Sequence, residues 1–307
     1  MELRHLRYFL AVAEEGHVTR AAERIGIQQP PLSRMLKSLE TEIGERLFYR
    51  TPRGVELTDA GKAFHLGASG IMGNLKQVIE LTRSTARGEQ GRIRIGVTPT
   101  GPFVPFVPRC LAEFRQSHPA VSLSVQESLS GQLLEDIHSA KVDVAFMWSP
   151  HAEGLLKIPV YQDELVVALP SRHPLALSRS SRPISINELA RETFIVYGRK
   201  DGFGLYAATI IACREAGFSP IFGEESPRLA SALTLVAAGL GVVFLPASLQ
   251  TVRVHGAVYR RLKAKTKAHS VLSLVSRRND RSALVRNFIA FCRRQVAGLR
   301  PPGARVG

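Results

Sequence analysis

Four polar side chains are spaced so that they would share one face of a helix, from which they could contact DNA together. Gln29, Ser33, Arg34 and Lys37 lie on one face of a predicted helix whose other face carries leucines. Amide, hydroxyl and guanidinium groups form hydrogen bonds with base edges in the major groove, and lysine binds phosphate oxygens. An ordinary amphipathic helix with a solvated polar face would show the same pattern, so this helix alone leaves both interpretations open.

The residues before this helix predict the remainder of a helix-turn-helix. Residues 19–25 form a short helical pattern with a small apolar face, and Gly26 permits a sharp turn after it. Pro30 and Pro31 are tolerated in the first turn of the second helix, because the N–H groups there have no helical partners. The amino end of that helix is therefore expected to face outward and to be available to phosphate.

A basic hairpin is predicted after the second helix. Residues 47–48 and 55–57 are typical of two short strands, and the segment between them carries Arg50 and Arg53. A winged helix uses such a tip to follow the DNA backbone or to enter the minor groove. The hairpin therefore favours DNA binding over a merely solvated helix.

The composition is that of a soluble globular protein with room for two or three domains. The chain has 307 residues, of which 45% are hydrophobic and 22% are charged. No cleavable secretion signal precedes the first helical pattern, and the most apolar stretch, residues 230–249, is interrupted by polar residues, glycine and proline. We therefore expect a cytoplasmic protein that does not associate with a membrane.

The net charge of +15 is concentrated near the C-terminal end. Residues 249–307 contain 14 basic residues and one acidic residue, whereas residues 1–88 contain 13 and 10. A solvated basic face is the simpler interpretation of this excess. A second surface for curved DNA, or for an acidic subunit of RNA polymerase, is the alternative.

The three cysteines do not suggest a metal site. Cys110, Cys213 and Cys292 are far apart in the sequence, and each lies in an apolar helical pattern. Such spacing fits neither a zinc site nor a disulfide framework. We expect buried thiols in a reducing compartment, with a redox switch as the less favoured alternative, and we expect no metal and no other cofactor.

The first 61 residues resemble the DNA-binding domain of the LysR-type transcriptional regulators. The motifs that carry this resemblance are Ala21-Ala22-Glu23, Gln29-Pro30-Pro31-Leu32-Ser33-Arg34, Leu39-Glu40, Leu47-Phe48 and Leu57-Thr58-Asp59-Ala60-Gly61. The Gln-Pro-Pro form is most similar to the branch that controls the catabolism of aromatic compounds. At lower specificity the resemblance extends over nearly the whole chain. It implies an α/β protein with an N-terminal all-α winged helix-turn-helix domain and a C-terminal two-lobed α/β domain resembling periplasmic binding proteins.

We expect three segments along the chain. They are a winged helix-turn-helix domain at 1–58, a linker helix for dimerisation at 59–88 and an effector-binding domain of two α/β lobes at 89–307. The linker pattern carries an apolar stripe that no neighbouring domain obviously covers, which suggests pairing with a second copy of the chain. Packing of this stripe against the winged domain is the alternative.

Strand and helix patterns alternate beyond residue 91. Strands at 93–97, 121–126 and 142–146 with helices at 104–118 and 132–141 predict a parallel sheet covered by helices. Further alternation up to residue 296 predicts a second lobe. The crossovers between the lobes are expected near 148–165 and 245–271.

Hydroxyl and aromatic side chains follow the predicted strands. Thr98, Ser128, Trp148 and Tyr197 come directly after or at the ends of strands, and Ser130 lies two residues beyond Ser128. Because ligands of open parallel sheets bind beyond the carboxyl ends of the strands, these residues predict a site for a small planar molecule carrying a carboxylate. Helix capping by the hydroxyl residues, and a core or lid position for the tyrosine, are the alternatives.

The resemblance adds detail to this cleft. In muconate- and benzoate-responsive members of the family, the residues that match Thr100, Ser130 and Phe203 line the inducer cleft. Trp148 stands where relatives that bind diacids have arginine, which implies an effector that is bulkier or less charged than a dicarboxylate. The implied function is a DNA-binding regulator that binds an interrupted palindrome as a dimer or tetramer, is switched by a small-molecule effector and has RNA polymerase as a further candidate partner.

Two other functional classes are less well supported by the sequence. Ser130, His138, Asp143 and His173 could be imagined as a catalytic set, but the chain contains neither a Gly-x-Ser-x-Gly turn nor a His-Glu-x-x-His motif. A solute-binding protein would share the two-lobed region but would lack the winged domain. We therefore expect no enzymatic activity.

Overall fold

Three short helices begin the chain, and the computed structural model describes residues 1–148, 152–178, 182–197, 205–226, 228–263 and 270–298. The helices are α1 (Leu3–Glu15), α2 (Val18–Ile25) and α3 (Gln29–Ile43). The chain divides into two units, residues 1–84 and residues 85–307. The first unit contains the predicted DNA-binding residues, and the second contains the predicted effector-binding residues.

Aromatic and leucine side chains form the core of the first unit. The ring of Phe9 is fully buried, and its centroid lies 5.1 Å from that of Phe48 and 4.9 Å from that of Phe64. Leu32 and Leu39 of α3 belong to the same buried cluster. Because the leucine face of α3 is part of the core, its polar face is turned to solvent.

A two-stranded hairpin follows the helices. Strands β1 (Phe48–Thr51) and β2 (Gly54–Leu57) pair antiparallel, with Thr51 opposite Gly54. Gly54 has a φ of +144°, and a side-chain carbon at this position would overlap the carbonyl oxygen of Gly16. The amide of Val55 donates to that same oxygen at 2.8 Å. The predicted winged helix-turn-helix is confirmed, with a small β-sheet added to its helices.

A long helix, α4 (Asp59–Arg87), follows the hairpin. Thr58 begins it by accepting the amide of Gly61 at 2.9 Å, which satisfies one N–H group of the first turn. Phe64 packs into the core of the first unit, whereas Ile71, Val78 and Ile79 are exposed. The two interpretations of the apolar stripe therefore apply to different parts of the helix: its start covers the winged domain, and its later apolar residues are left uncovered.

The second unit alternates between strands and helices. In chain order its elements are β3 (Gly91–Val97), α5 (Phe106–Ser117), β4 (Val121–Glu127), α6 (Ser130–His138), β5 (Val144–Trp148), β6 (Leu155–Asp163), β7 (Leu165–Pro170), α7 (Pro174–Leu177), β8 (Thr193–Tyr197), α8 (Leu205–Glu215), β9 (Ile221–Ser226), α9 (Leu229–Ala237), β10 (Val243–Pro246), β11 (Ala257–Arg261), β12 (Ser270–Arg277) and α10 (Ala283–Gly298).

These elements form two lobes with separate cores. Lobe I has a five-stranded sheet in the order β4-β3-β5-β12-β6, and lobe II has the sheets β10-β7-β11 and β8-β9. Each lobe buries its own apolar cluster, around Phe146 and Phe288 in lobe I and around Phe194 and Phe244 in lobe II. The predicted two-lobed α/β domain is confirmed.

The predicted parallel pairing is confirmed for the strands β3, β4 and β5, but other strands of the two lobes run antiparallel. β3 runs parallel to β4 and β5, but β12 runs antiparallel to β5 and β6, and β7 runs antiparallel to β10 and β11. The predicted crossovers contain the strands β6 and β11, which the sequence did not indicate. β6 is an edge strand that includes Pro159, a residue that sheets tolerate at an edge, so its pattern is similar to that of a loop.

The three cysteines are buried and carry free thiols. Cys110 of α5 and Cys292 of α10 lie with their sulfur atoms 3.3 Å apart, and the neighbouring thiol together with burial raises the pKa of Cys292. Burial raises the pKa of Cys213 to about 12. Because the thiolate is the reactive form, these positions favour structural thiols over a redox switch.

The apolar stretch at 230–249 forms α9 and β10, so it contributes to the core of lobe II. Within the described parts of the chain, every helix is too short or too polar to cross a bilayer.

Candidate nucleic-acid interface and effector site

The predicted recognition residues share the exposed face of α3. Arg34 and Lys37 are exposed, Ser33 is half-buried, and Gln29 Nε2 donates a hydrogen bond to Ser33 Oγ at 2.7 Å. The ion pairs found in the described part of the first unit use other cations, such as Arg24 with Glu14 and Glu15. The charges of Arg34 and Lys37 are therefore available to a polyanion.

The amino end of α3 is open. Pro30 and Pro31 occupy its first turn and are exposed, and Gln28, which precedes the helix, makes no side-chain hydrogen bond to its first amides. Because the two prolines carry no N–H group, the amide of Gln29 and the positive end of the helix dipole are what this first turn offers to a phosphate. The structure thus agrees with the outward-facing helix end that the proline pair predicts.

The wing brings further cations next to α3. Arg50 on β1 and Arg53 in the hairpin turn are both exposed. Lys37 and Arg50 line one concave groove of about 760 Å³ between α3 and β1. Arg46 and Tyr49 line the same groove, and sequence reasoning did not select them. The 60% exposure of Tyr49 could have been inferred from the alternation along the strand, because its neighbour Phe48 faces the core.

Glu40 is a second residue that the sequence pattern did not single out for a role in binding. Its Oε1 accepts the amides of Leu47 at 2.8 Å and of Phe48 at 3.2 Å, at the start of the wing. It also lines the groove between α3 and β1. An acidic residue that interrupts a face rich in basic residues is the signal that could have identified it.

The predicted effector residues of lobe I lie at the carboxyl edge of its parallel strands. Thr98 and Thr100 follow β3, Ser128 follows β4 and donates its amide to the carbonyl of Val97 at 3.1 Å, and Trp148 ends β5. Thr98 and Thr100 are buried. The topology therefore collects hydroxyl groups from two strands at one edge of the sheet.

Trp148 belongs to the core cluster of lobe I and is only 3% exposed. Its indole Nε1 donates to Thr100 Oγ1 at 2.9 Å. The hydroxyl of Thr98, in contrast, is buried and has no hydrogen-bond partner among the described residues. Because an unsatisfied buried hydroxyl costs free energy, Thr98 is the member of this group that is best prepared to meet a polar ligand atom.

The serines near α6 do not act as its cap. The N-cap residue is Leu129, and no side-chain hydrogen bond closes the first turn of the helix. Ser128 and Ser130 are half-buried on either side of it. The alternative of helix capping is therefore wrong for both serines, and the uncapped amides of α6 lie beside their hydroxyl groups.

The predicted effector residues of lobe II are only partly covered by the structure. Tyr197 ends β8 and packs half-buried against the core of that lobe. Phe203 lies outside the described residues.

The two lobes meet near the loop after β3. The turn Gly101–Phe103 packs against the segment Ala247–Thr251, which follows β10. Asp163, at the end of the crossing strand β6, accepts the amide of Ser248 at 3.0 Å, and burial raises the pKa of this carboxyl group. The loop beside Thr98 and Thr100, in lobe I, is therefore in contact with a segment of lobe II.

The imagined catalytic set does not assemble. Asp143 lies at the amino end of β5 and accepts hydrogen bonds from Arg94, at 2.8 Å from its amide and 2.6 Å from its guanidinium group. Ser130 lies at the opposite edge of the same sheet. His173 is in lobe II, where it lies 3.2 Å from Glu192.

Some basic residues of the C-terminal segment are already hydrogen-bonded or paired with acidic groups within the fold. The guanidinium group of Arg277 donates to the carbonyl oxygen of Ile137 at 2.7 Å and also pairs with Asp143. Arg293 and Arg294 of α10 are exposed. The simpler interpretation of a solvated face thus applies to fewer residues than the charge count suggests.

Two family models match the chain. The model described as "Bacterial regulatory helix-turn-helix protein, lysR family" matches residues 3–62, and the model described as "LysR substrate binding domain" matches residues 86–297. The chain belongs to the LysR family of transcriptional regulators. It is therefore a DNA-binding regulator with a second domain for a small-molecule effector, as the sequence predicts.

Similar regulators cover almost the whole of this LysR family member. The transcriptional regulator AlsR of Bacillus subtilis is 35% identical over 290 residues, which are 94% of each chain. BenM of Acinetobacter baylyi is 33% identical over 262 residues, which are 84% of each chain. A crystal structure of full-length CbnR complexed with its target DNA matches with a TM-score of 0.78 at 26% identity, covering 96% of this chain and 100% of CbnR.

Proposed function

We propose that this LysR-type regulator binds an interrupted palindrome in promoter DNA as a dimer or tetramer. The observation that carries the proposal is the face of α3, where Arg34 and Lys37 stand exposed, without acidic partners among the described residues, beside an uncapped helix end. The contacts assigned to DNA are those of Gln29, Pro30, Pro31, Ser33, Arg34, Lys37, Arg50 and Arg53. A palindrome follows because two symmetry-related copies present the same helix to two half-sites.

The pairing surface is assigned to α4. Ile71, Val78 and Ile79 are exposed apolar residues on this helix, and Val78 is 57% exposed. A row of apolar side chains left open to water on a long helix favours packing against the same row of a second copy.

The effector is proposed to be a small aromatic or carboxylate metabolite bound between the two lobes. The unpartnered hydroxyl of Thr98 and the uncapped start of α6 support a carboxylate or another acceptor oxygen at the edge of lobe I. The residues assigned to this site are Thr98, Thr100, Ser128, Ser130, Trp148, Tyr197 and Phe203. A ligand there would favour one arrangement of the lobes and so change the bend that the oligomer imposes on DNA.

The proposal also states that the protein is cytoplasmic and has no enzymatic activity. Two observations support this: its relatives are named as regulators, and Ser130, Asp143 and His173 occupy scattered positions. RNA polymerase is a further candidate partner. The support for it is the charge of Arg293 and Arg294 on α10.

Operator binding is tested by footprinting the promoter regions next to the gene with the full chain and with Arg34→Ala. We expect this substitution to weaken binding of the protected site by about 1 to 3 kcal/mol, the value of one bidentate contact with guanine. Arg214→Ala removes an equal charge from α8, in lobe II, and should leave binding nearly unchanged. An equal loss of affinity for Arg34→Ala on scrambled DNA would show that Arg34 contacts phosphate and not a base. The lack of any protected site would refute the proposal.

The effector class is tested by thermal unfolding of the full chain with benzoate as an aromatic monoacid and muconate as a diacid. A ligand present at 100 times its dissociation constant stabilises the folded protein by about 2.7 kcal/mol. We expect the monoacid to raise the midpoint of unfolding more than the diacid, because Trp148 offers no positive charge to a second carboxylate. A larger shift with the diacid would contradict this assignment.

A further inference from the structure

The recognition helix and the wing are joined by hydrogen bonds through a single side chain in the described part of the first unit. Glu40, in the last two turns of α3, accepts the amides of Leu47 and Phe48, which lie immediately before and at the start of β1. Bonds to a charged acceptor are stronger than neutral ones, and this carboxylate is half-buried. The link therefore resists a change in the distance between α3 and the hairpin.

The other backbone hydrogen bonds of the hairpin lead to different elements, although Leu47, Phe48 and Val55 share an apolar cluster with the leucines of α3. Val55 is bonded to Gly16 in the turn between α1 and α2, and the carbonyl of Leu47 accepts the amide of Thr58 at 3.0 Å just before α4. These bonds do not involve α3. Loss of the Glu40 link would therefore leave the hairpin folded and attached to the domain, and its position relative to α3 would then depend on the shared apolar cluster, whose packing is less directional than a hydrogen bond.

That relative position matters for binding two grooves at once. Arg34 on α3 is assigned to base edges in the major groove, and Arg53 at the hairpin turn is assigned to the adjacent backbone or minor groove. Both contacts can form together only when the spacing between the helix and the wing matches the spacing between the grooves. A residue that holds this spacing contributes to affinity without touching DNA.

We propose that Glu40 is a positioning residue that sets the wing against the recognition helix, so that the contact of Arg53 with DNA depends on Glu40 whereas the contact of Arg34 does not. This inference rests on the proposed DNA binding.

The test is a pair of double-mutant cycles on the full chain, measured by titration of the footprinted operator. Glu40→Ala and Arg53→Ala should each weaken binding by about tenfold, the loss expected for one charge-assisted contact, and the double variant should be no weaker than either. Combined with Arg34→Ala, Glu40→Ala should multiply the losses. Glu40→Gln, which keeps an acceptor oxygen of the same shape, should bind at least threefold more tightly than Glu40→Ala.

Each result of these cycles has a definite meaning. Independent losses for Glu40→Ala and Arg53→Ala would overturn the proposal, and so would coupling of the same size to Arg34 and to Arg53, because a general loosening of the domain affects both contacts alike. Thermal unfolding of each variant verifies that it is folded at the temperature of the titration. If Glu40→Ala is not folded at that temperature, Glu40→Gln replaces it in the cycles. Failure of the unmodified chain to protect any DNA would instead refute the proposed function.

Discussion

The DNA-binding face and the effector region use polar side chains in opposite ways. On α3 and the wing, Arg34 and Arg53 are exposed and have no acidic partner in the described part of the first unit. At the carboxyl edge of lobe I, Thr98 and Thr100 are buried, and Trp148 donates its N–H group to Thr100. The charges of the first surface are open to a partner, whereas Thr98, Thr100 and Trp148 of the second are already enclosed by protein. This difference suits a regulator in which DNA is read by an open surface and the effector acts by selecting a conformation.

The largest effect is expected for Asp143→Asn, which tests whether the effector unit can be weakened without affecting the DNA-binding face. Asp143 is buried, and replacing its carboxylate with an amide removes the negative charge and one of the two acceptor oxygens that Arg94 and Arg277 share. We expect a loss of about 2 to 3 kcal/mol in unfolding free energy, less than for a fully buried pair because Arg94 is partly exposed to solvent. Chemical denaturation of the full chain measures the loss of stability. An unchanged affinity for operator DNA would show that the DNA-binding face does not depend on the stability of the effector unit.

The same ion pair predicts a dependence on pH. Burial disfavours the charge of Asp143, but hydrogen bonds from Arg94 outweigh it and hold the pKa of this carboxyl group below its usual value. The stabilisation is therefore fully present above the pKa of the unfolded chain and is lost as the pH falls through the lowered folded value. Asp59→Asn is the matched control, since the pKa of Asp59 is also lowered, by Lys62, but the pair is exposed and should contribute little. An equal change in the acid unfolding of both variants would contradict this account.

Gly54→Ala tests the rigidity of the DNA-binding face. A methyl group at this position meets the carbonyl of Gly16, and the backbone has a φ of +144°, so the hairpin must move or strain. We expect a loss of about 2 kcal/mol in stability together with weaker operator binding, because the position of Arg53 changes with the hairpin. Gly44→Ala is the control: it has a φ of +83° but open space around it, so it should cost about 1 kcal/mol and leave the wing in place. Equal effects of the two substitutions on DNA binding would contradict the role of the close contact between Gly54 and Gly16.

The smallest effect is expected for Trp148→Phe, which tests whether the buried edge of lobe I is an effector site at all. The substitution removes the hydrogen bond to Thr100 but keeps most of the ring, so we expect a loss of about 1 kcal/mol in stability. Operator affinity without effector should stay the same. The thermal shift produced by whichever aromatic acid stabilises the unmodified chain should decrease, and an unchanged shift would exclude Trp148 from the site.

Local sequence was sufficient for the winged domain and for the three parallel strands of lobe I, but not for the remaining strand pairings. Gly26 and the proline pair at 30–31 determine a turn and a helix start from the backbone itself, so α2 and α3 could be predicted closely. The direction of β12 and the existence of β6 depend on partners far along the chain, because Ser276 pairs with Val144 on one side and Leu156 on the other. Such pairing is decided by the closure of long loops and not by the pattern of either strand.

The candidate site shows the same limit. Thr98, Ser128 and Trp148 follow or end predicted strands, and the sequence therefore placed them at one edge of the sheet, where the carboxyl ends of parallel strands meet. The position could not reveal that the indole of Trp148 turns into the core and binds Thr100 while Thr98 is left without a partner. Glu40 was missed for a similar reason, since the amides that it accepts belong to a different element.

By itself the sequence determined the helix-turn-helix, the polar face of α3 and the membership of the LysR family, because these depend on the order of residues within single turns and helices. The tertiary structure alone decided which polar groups are already satisfied: Glu40 by the wing, Asp143 by two arginines and Thr100 by Trp148. Satisfaction depends on distances between segments that are remote in the chain, and only the packing of the cores brings those segments together.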